Sequence, residues 1–211
     1  MDDEVLARIS AGRIIAILRG DFTGLDLEIA SVLYESGITA IEVTLNSPDA
    51  FVAIERLTVG IGDQLSIGAG TVMSVDHVLR AADSGAGFIV SPNRNVGVIE
   101  ATKRREMVSI PGCFTPSEIC EALDVGADAV KLFPAISLGS RFVRAIRNPL
   151  GEVRMIPTGG VNQEMAGEFL TAGAWALGVG SELVSSDVSA AGGLVRLRTK
   201  AAAFVKAVQT Q

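Results

Sequence analysis

Two charged residues stand inside runs that otherwise read as buried strands. In AIEVTL, residues 40–45, alternation puts Ile41, Val43 and Leu45 on one face and Ala40, Glu42 and Thr44 on the other. In AVKLFP, residues 129–134, Val130 and Leu132 share a face opposite Lys131 and Phe133. A strand face that packs on helices must be apolar, so Glu42 and Lys131 are expected on the other face. A lysine in an apolar wall has a chemical use. Burial disfavours the ammonium form, and a neutral amine attacks a ketone to form a Schiff base. A carboxylate within reach can carry the protons. A buried ion pair that only sets strand register is the structural alternative.

Further groups converge on the chemistry of an anionic substrate. Arg19 ends the first apolar run, AILRG, where a guanidinium suits a bidentate carboxylate or phosphate contact; a surface arginine is the other reading. The segments Thr158-Gly159-Gly160-Val161-Asn162 and Gly178-Val179-Gly180-Ser181-Glu182 are glycine-rich strand exits. Glycine lets backbone N–H groups approach a phosphate closely, although tight turns with no ligand use the same residues.

Other chemistry is excluded by what the chain lacks. It has one histidine, His77, in the helical pattern SVDHVLRAAD, and is expected to carry it at the surface. Metal sites built on two or three His ligands are unavailable, and no metal is expected. A Ser-His-Asp triad is nearly excluded. Cys113 and Cys120 match neither a CxxC redox pair nor a zinc site, which fits structural thiols in a reducing, cytoplasmic compartment. Covalent chemistry rests on Lys, Cys or carboxylates. The net charge is −6, with one Trp and one Tyr and no basic stripe, so no nucleic-acid partner is expected. Lys103-Arg104-Arg105 reads as a solvated helix face. No apolar run reaches the ~18 residues of a membrane span, and the acidic start MDDEVLARIS is no signal peptide.

The elements that must position these groups follow from a regular alternation. Eight short apolar runs, at 14–18, 40–45, 65–70, 88–92, 107–112, 129–134, 154–160 and 176–181, alternate with helical stretches. Such strand–helix spacing demands right-handed crossovers and a parallel sheet. Eight units in 211 residues predict an α/β chain folded as one (β/α)8 TIM barrel domain over residues 1–211; a doubly wound open sheet is the alternative. Residues 2–11 form an extra N-terminal helix able to cover the barrel bottom, and 193–208 form the last helix. Ser47-Pro48 and Thr115-Pro116-Ser117-Glu118 carry helix-start signals. Gly37, Gly85, Gly126 and Gly173 are expected as helix C-caps, which explains part of the total of 23 glycines. In this barrel Glu42 and Lys131 belong to strands two and six, on opposite walls, near the strand ends where barrel active sites lie. An eight-stranded interior is narrow enough for two long side chains to meet.

The motifs EVTLNSP around Glu42, GAGT at 68–71, SPN at 91–93, PGC at 111–113, KLFP at 131–134, PTGGV at 157–161 and GVGS at 178–181 occur in that order. Over about residues 10–208 the chain resembles the KDPG/KHG aldolases, which cleave 2-keto-3-deoxy-6-phospho sugar acids. The resemblance implies a homotrimeric barrel with no cofactor, Lys131 as the Schiff-base lysine and Glu42 as the acid/base. It implies Thr71 and Pro92 at the pyruvate pocket, Phe133 beside the Schiff base, and Gly159, Gly160, Gly180 and Ser181 at the phosphate. Many gluconate-type members have Arg where this chain has Asn46, so Arg19 is expected to hold the carboxylate. LNSP looks like the phosphogalactonate (KDPGal) aldolases, whereas Thr158 before Gly159-Gly160 looks like the phosphogluconate type. The expectation favours 2-dehydro-3-deoxy-6-phosphogluconate, with 4-hydroxy-2-oxoglutarate as a further substrate, because Thr158 stands near the sugar hydroxyls. A phosphate-binding barrel without catalysis, and an isomerase or synthase using Glu42 as base with no covalent step, are the rival readings.

Overall fold

The structure, a computed structural model, describes residues 2–209. Helix α1 (Asp2–Gly12) precedes an alternation of β1 (Ile14–Leu18), α2 (Asp26–Glu35), β2 (Ala40–Thr44), α3 (Ala50–Ile61), β3 (Ser66–Gly70), α4 (Val75–Asp83), β4 (Phe88–Val90), α5 (Val96–Arg104) and β5 (Val108–Ile110). The chain continues through β6 (Gly112–Cys113), α6 (Pro116–Asp124), β7 (Val130–Leu132), α7 (Ala135–Leu150), β8 (Met155–Pro157), α8 (Gln163–Thr171), β9 (Leu177–Val179) and α9 (Gly193–Gln209).

Every strand pairing is parallel. The order β5-β4-β3-β2-β1-β9 forms one curled sheet, and β6-β7-β8 forms a second. A parallel bridge between Thr158 and Gly178 links β8 to β9. Between β5 and β6 stands Pro111, which has no N–H to give to a ladder. Its carbonyl still accepts from Lys131 N–H at 2.9 Å.

Two apolar layers result from the alternation of side chains. Ile41, Val43, Val130 and Leu132 join the larger cluster, with α2, α3 and the other surrounding helices. Ile15, Ala40, Phe88, Val108, Ala129, Ile156 and Ala176 form a smaller cluster with Val5 and Ile9 of α1. Glu42 and Lys131 share the face of this second group, so the alternation in AIEVTL and AVKLFP has the predicted sense.

Local signals hold in most places. Thr115 and Glu118 form a reciprocal capping box at α6, with Pro116 in the first turn. Gly37, Gly85, Gly126 and Gly173 all take positive φ, from 90° to 104°, directly after a helix. Two expectations are corrected. Helix α3 starts at Ala50 with Asp49 as N-cap, and Ser47 does not cap it. Its hydroxyl is engaged elsewhere, accepting from Gly20 N–H. Lys103 is not on a solvated face: the end of α5 abuts α1 and the entry to β7, so its ammonium meets Asp2, Asp128 and the Met107 carbonyl. His77 is partly exposed on α4. Among the described residues no helix is long and apolar enough to cross a membrane.

Candidate active site

Strands β2 and β7 bring Glu42 and Lys131 face to face. Lys131 Nζ lies 3.9 Å from Glu42 Oε1, with the two side chains 5% and 3% exposed. That distance couples the charges strongly but is too long for a hydrogen bond, and the buried Oε1 has no hydrogen-bond partner. Burial pushes the Glu42 carboxyl above the usual carboxylate value; the positive charges of Lys131 and Arg19 oppose this and favour the ionised form. Lys131 Nζ also sits 5.2 Å from the centroid of the Phe133 ring, within cation–π range.

The remaining groups gather at the same strand ends. A cavity of about 290 Å³ is lined by Arg19, Lys131, Phe133, Thr158, Gly159, Gly160, Gly180 and Ser181, eight of the residues singled out in the sequence, and also by Glu182 and Ser186. Lys131 forms part of its inner wall and Arg19, which is exposed, part of its rim. Gly159 and Gly160 have φ of 92° and 77°, values that side chains with a Cβ rarely adopt. A Cβ on Gly159 would also come within 3.0 Å of the Phe133 ring. The carbonyls of Thr158 and Gly159 accept from Ala135 and Ile136, so this turn is tied to the start of α7.

Thr71 and Pro92 do not line this cavity. Thr71 follows β3 with φ of 58°, unusual for a β-branched residue. Pro92 follows β4 and packs against Gly112 so closely that a Cβ there would collide with its backbone. Cys113 is buried, and its thiol is pushed up to about 12, first by desolvation and then by Glu118. It is no nucleophile at neutral pH; Cys120 does not line the cavity, and Lys131 is the lysine that does.

Three contributors escaped the sequence reading. Gly70 has to be glycine because a Cβ would collide with Glu42 Oε1, and Gly178 because a Cβ would collide with Thr158 Oγ1. GAGT and GVGS carried this information only as glycine content. Ser47 was read as a helix signal, because its partner at residue 20 lies on another loop and leaves no local trace.

Comparison with known proteins places this arrangement. A family model described as KDPG and KHG aldolase matches residues 5–199. A probable 2-dehydro-3-deoxy-6-phosphogalactonate aldolase from Rhizobium meliloti is 40% identical over 178 residues, covering 84% of each chain. A native KDPGal structure superposes with a TM-score of 0.88 at 34% identity, over 93% of this chain and 94% of that one. A KDPG aldolase from Legionella pneumophila, with pyruvate captured as a covalent carbinolamine intermediate, gives a TM-score of 0.81 at 28% identity, over 97% and 96%. The chain is an enzyme of the aldolase class, a carbon–carbon lyase. It belongs to the KDPG and KHG aldolase family.

Proposed function

We propose that the chain is a class I aldolase that cleaves a 2-keto-3-deoxy-6-phospho sugar acid to pyruvate and glyceraldehyde 3-phosphate. The observation that carries this reading is the approach of Lys131 Nζ and Glu42 Oε1 to 3.9 Å in a buried wall beside an open cavity. Lys131 Nζ adds to the C2 ketone and water leaves, giving an iminium. The C3–C4 bond breaks, its electrons pass into the iminium, and Glu42 takes the proton of the C4 hydroxyl. The aldehyde departs, the enamine is protonated at C3, and hydrolysis returns pyruvate and free Lys131. The iminium is the electron sink, so the scheme uses no metal and no organic cofactor. The carbinolamine in the Legionella relative supports the same chemistry here. Arg19 holds the substrate carboxylate, and Phe133 packs beside the adduct. Gly159, Gly160, Gly180 and Ser181 hold the phosphate.

In this reading the two sheets are one closed (β/α)8 barrel with seams at Pro111 and at the Thr158–Gly178 bridge, and α1 covers its bottom. The whole of 1–211 is a single cytoplasmic domain that assembles as a homotrimer. Met73, Val75 and Leu79 at α4, Val96 at α5 and Phe114 before α6 are exposed apolar side chains on successive elements, and they supply apolar surface for such contacts.

The galactonate configuration is the preferred substrate. Thr158, the basis for a gluconate preference, is 4% exposed and donates its hydroxyl hydrogen to Ile156 O at 3.1 Å, so that hydrogen is not free for a sugar. Asn46 within LNSP and the galactonate names of two of the relatives point the same way. The test is pyruvate release from 2-dehydro-3-deoxy-6-phosphogalactonate, its gluconate epimer and 4-hydroxy-2-oxoglutarate. The galactonate substrate is expected to give the highest kcat/KM. A higher value for the gluconate epimer establishes the second reading, in which Thr158 reaches the sugar through its lone pairs.

A further inference from the structure

Arg19 is exposed at the end of β1, and its own side chain gives it little to fix its position. The backbone on both sides of it is held instead. Gly20 N–H donates to Ser47 Oγ at 3.1 Å. Ser47 Oγ and Thr44 Oγ1 are 3.0 Å apart. Thr44 Oγ1 lies 3.4 Å from the Leu18 carbonyl, as its donor. The direction of this chain of bonds is forced. An amide N–H only donates and a carbonyl only accepts, and each hydroxyl has one hydrogen. The order is therefore Gly20 N–H to Ser47, Ser47 to Thr44, Thr44 to Leu18 C=O. The two ends are the peptide groups immediately after and before Arg19. The middle belongs to β2 and its exit, two and five residues beyond Glu42. Thr44 is fully buried. Gly20 has φ of 132°, a turn conformation with little intrinsic preference to hold it.

We infer that Thr44 and Ser47 are positioning residues that set the Arg19 guanidinium relative to Glu42 and Lys131. This rests on the proposal that Arg19 holds the substrate carboxylate. The relay references that end of the substrate to the strand carrying the acid/base, so carboxylate and proton acceptor keep one geometry. Arg19 directly follows β1 and Glu42 lies on β2, so this chain of bonds ties the one to the strand of the other.

The test is a double-mutant cycle on the whole enzyme, with KM for the phospho sugar acid, kcat and the inhibition constant of inorganic phosphate as readouts. Ser47→Ala and Thr44→Val are each expected to raise KM about three- to tenfold, the range of one ordinary hydrogen bond. Both should leave kcat within about twofold and phosphate inhibition unchanged. Ser47→Thr, which keeps the hydroxyl, should restore KM. In an Arg19→Met background the further loss of Ser47 should have no effect on KM, because the group it positions is gone. Additive losses in the double variant would show that Ser47 acts on something else and overturn the inference. A silent Ser47→Ala beside a damaging Arg19→Met overturns it while leaving the role of Arg19 intact. A silent Arg19→Met removes the role of Arg19 itself, and the inference falls with it.

Discussion

At Glu42 burial and charge act in opposite directions, and the balance decides when it can accept a proton. Desolvation raises its pKa above the usual carboxylate value, while Lys131 and Arg19 hold the increase back. Glu42 must be ionised to take the C4 hydroxyl proton. The acid limb of the kcat/KM–pH profile, which reports groups of the free enzyme, is therefore expected above the usual carboxylate range, with activity rising as pH rises through it. Glu42→Gln keeps the shape and removes the base; turnover should fall by roughly 10²–10⁴-fold, the range for general acid–base catalysis, and that limb should disappear. Steady-state rates across pH for both proteins check this, and a Gln variant within tenfold of the parent assigns Glu42 to structure alone. Gly70 tests the same geometry without touching a reactive group. Gly70→Ala drives a methyl into Glu42 Oε1. Overpacking of this kind typically costs 1–3 kcal/mol, and displacement of the carboxylate should lower turnover by about 10²-fold or more, since small misplacements cost that much. Unchanged kcat in a folded Gly70→Ala protein would mean that Glu42 has room to work from elsewhere.

Among the elements, the knot at the lower end of α5 ties distant segments together. Lys103 Nζ is 2.7 Å from Asp128 Oδ2, 3.0 Å from Asp2 Oδ2 and 3.2 Å from Met107 O, and Asp128 also accepts from Ser109 N–H at 2.8 Å. Partial burial alone would lower the pKa of Lys103, but hydrogen bonds to Asp128 and Asp2, with their charges, raise it above the usual 10.5. A raised lysine contributes stability that is complete below its unfolded value and is lost as pH rises through the folded one. Lys103→Met should cost about 1–3 kcal/mol near neutrality. The gap to the parent should stay level through neutral pH and narrow only above about 10.5, as denaturant unfolding at several pH values would show. A gap that closes near pH 8 would contradict this role. The sequence showed the run Lys103-Arg104-Arg105 but not this knot, because Asp2 and Asp128 are remote in sequence and only the docking of α1 and β7 unites them. Glu42 and Lys131 were readable because alternation within a strand is local and an apolar run leaves a charge only one way to face. The glycine C-caps and the Thr115 box were readable for the same reason. Ser47, Gly70 and Gly178 were not, since their partners come from neighbouring strands or loops whose register no local pattern reveals.

At the scale of the whole molecule, two parallel sheets bring Glu42 and Lys131 face to face, and the cavity opens at the strand ends. The proposed trimer predicts a solution mass of three times the 21.9 kDa chain, measured by sedimentation equilibrium; a species of single-chain mass at micromolar concentration would rule it out. The choice of sugar acid presupposes the covalent step at Lys131, and one measurement addresses that step alone. The enzyme is incubated with pyruvate, reduced with borohydride and digested, and the modified peptide is identified by mass spectrometry. The adduct, pyruvate joined to the amine with loss of water and gain of two hydrogens, is expected on Lys131. It should be absent from Lys131→Met. Because that change leaves the Glu42 carboxyl buried without its cation, which destabilises the chain, Lys131→Arg, which keeps the charge and forms no Schiff base, is compared beside it and should also lack the adduct. A stable adduct on any other lysine, or an active enzyme that borohydride leaves unmodified in the presence of pyruvate, would contradict Schiff-base catalysis at this site.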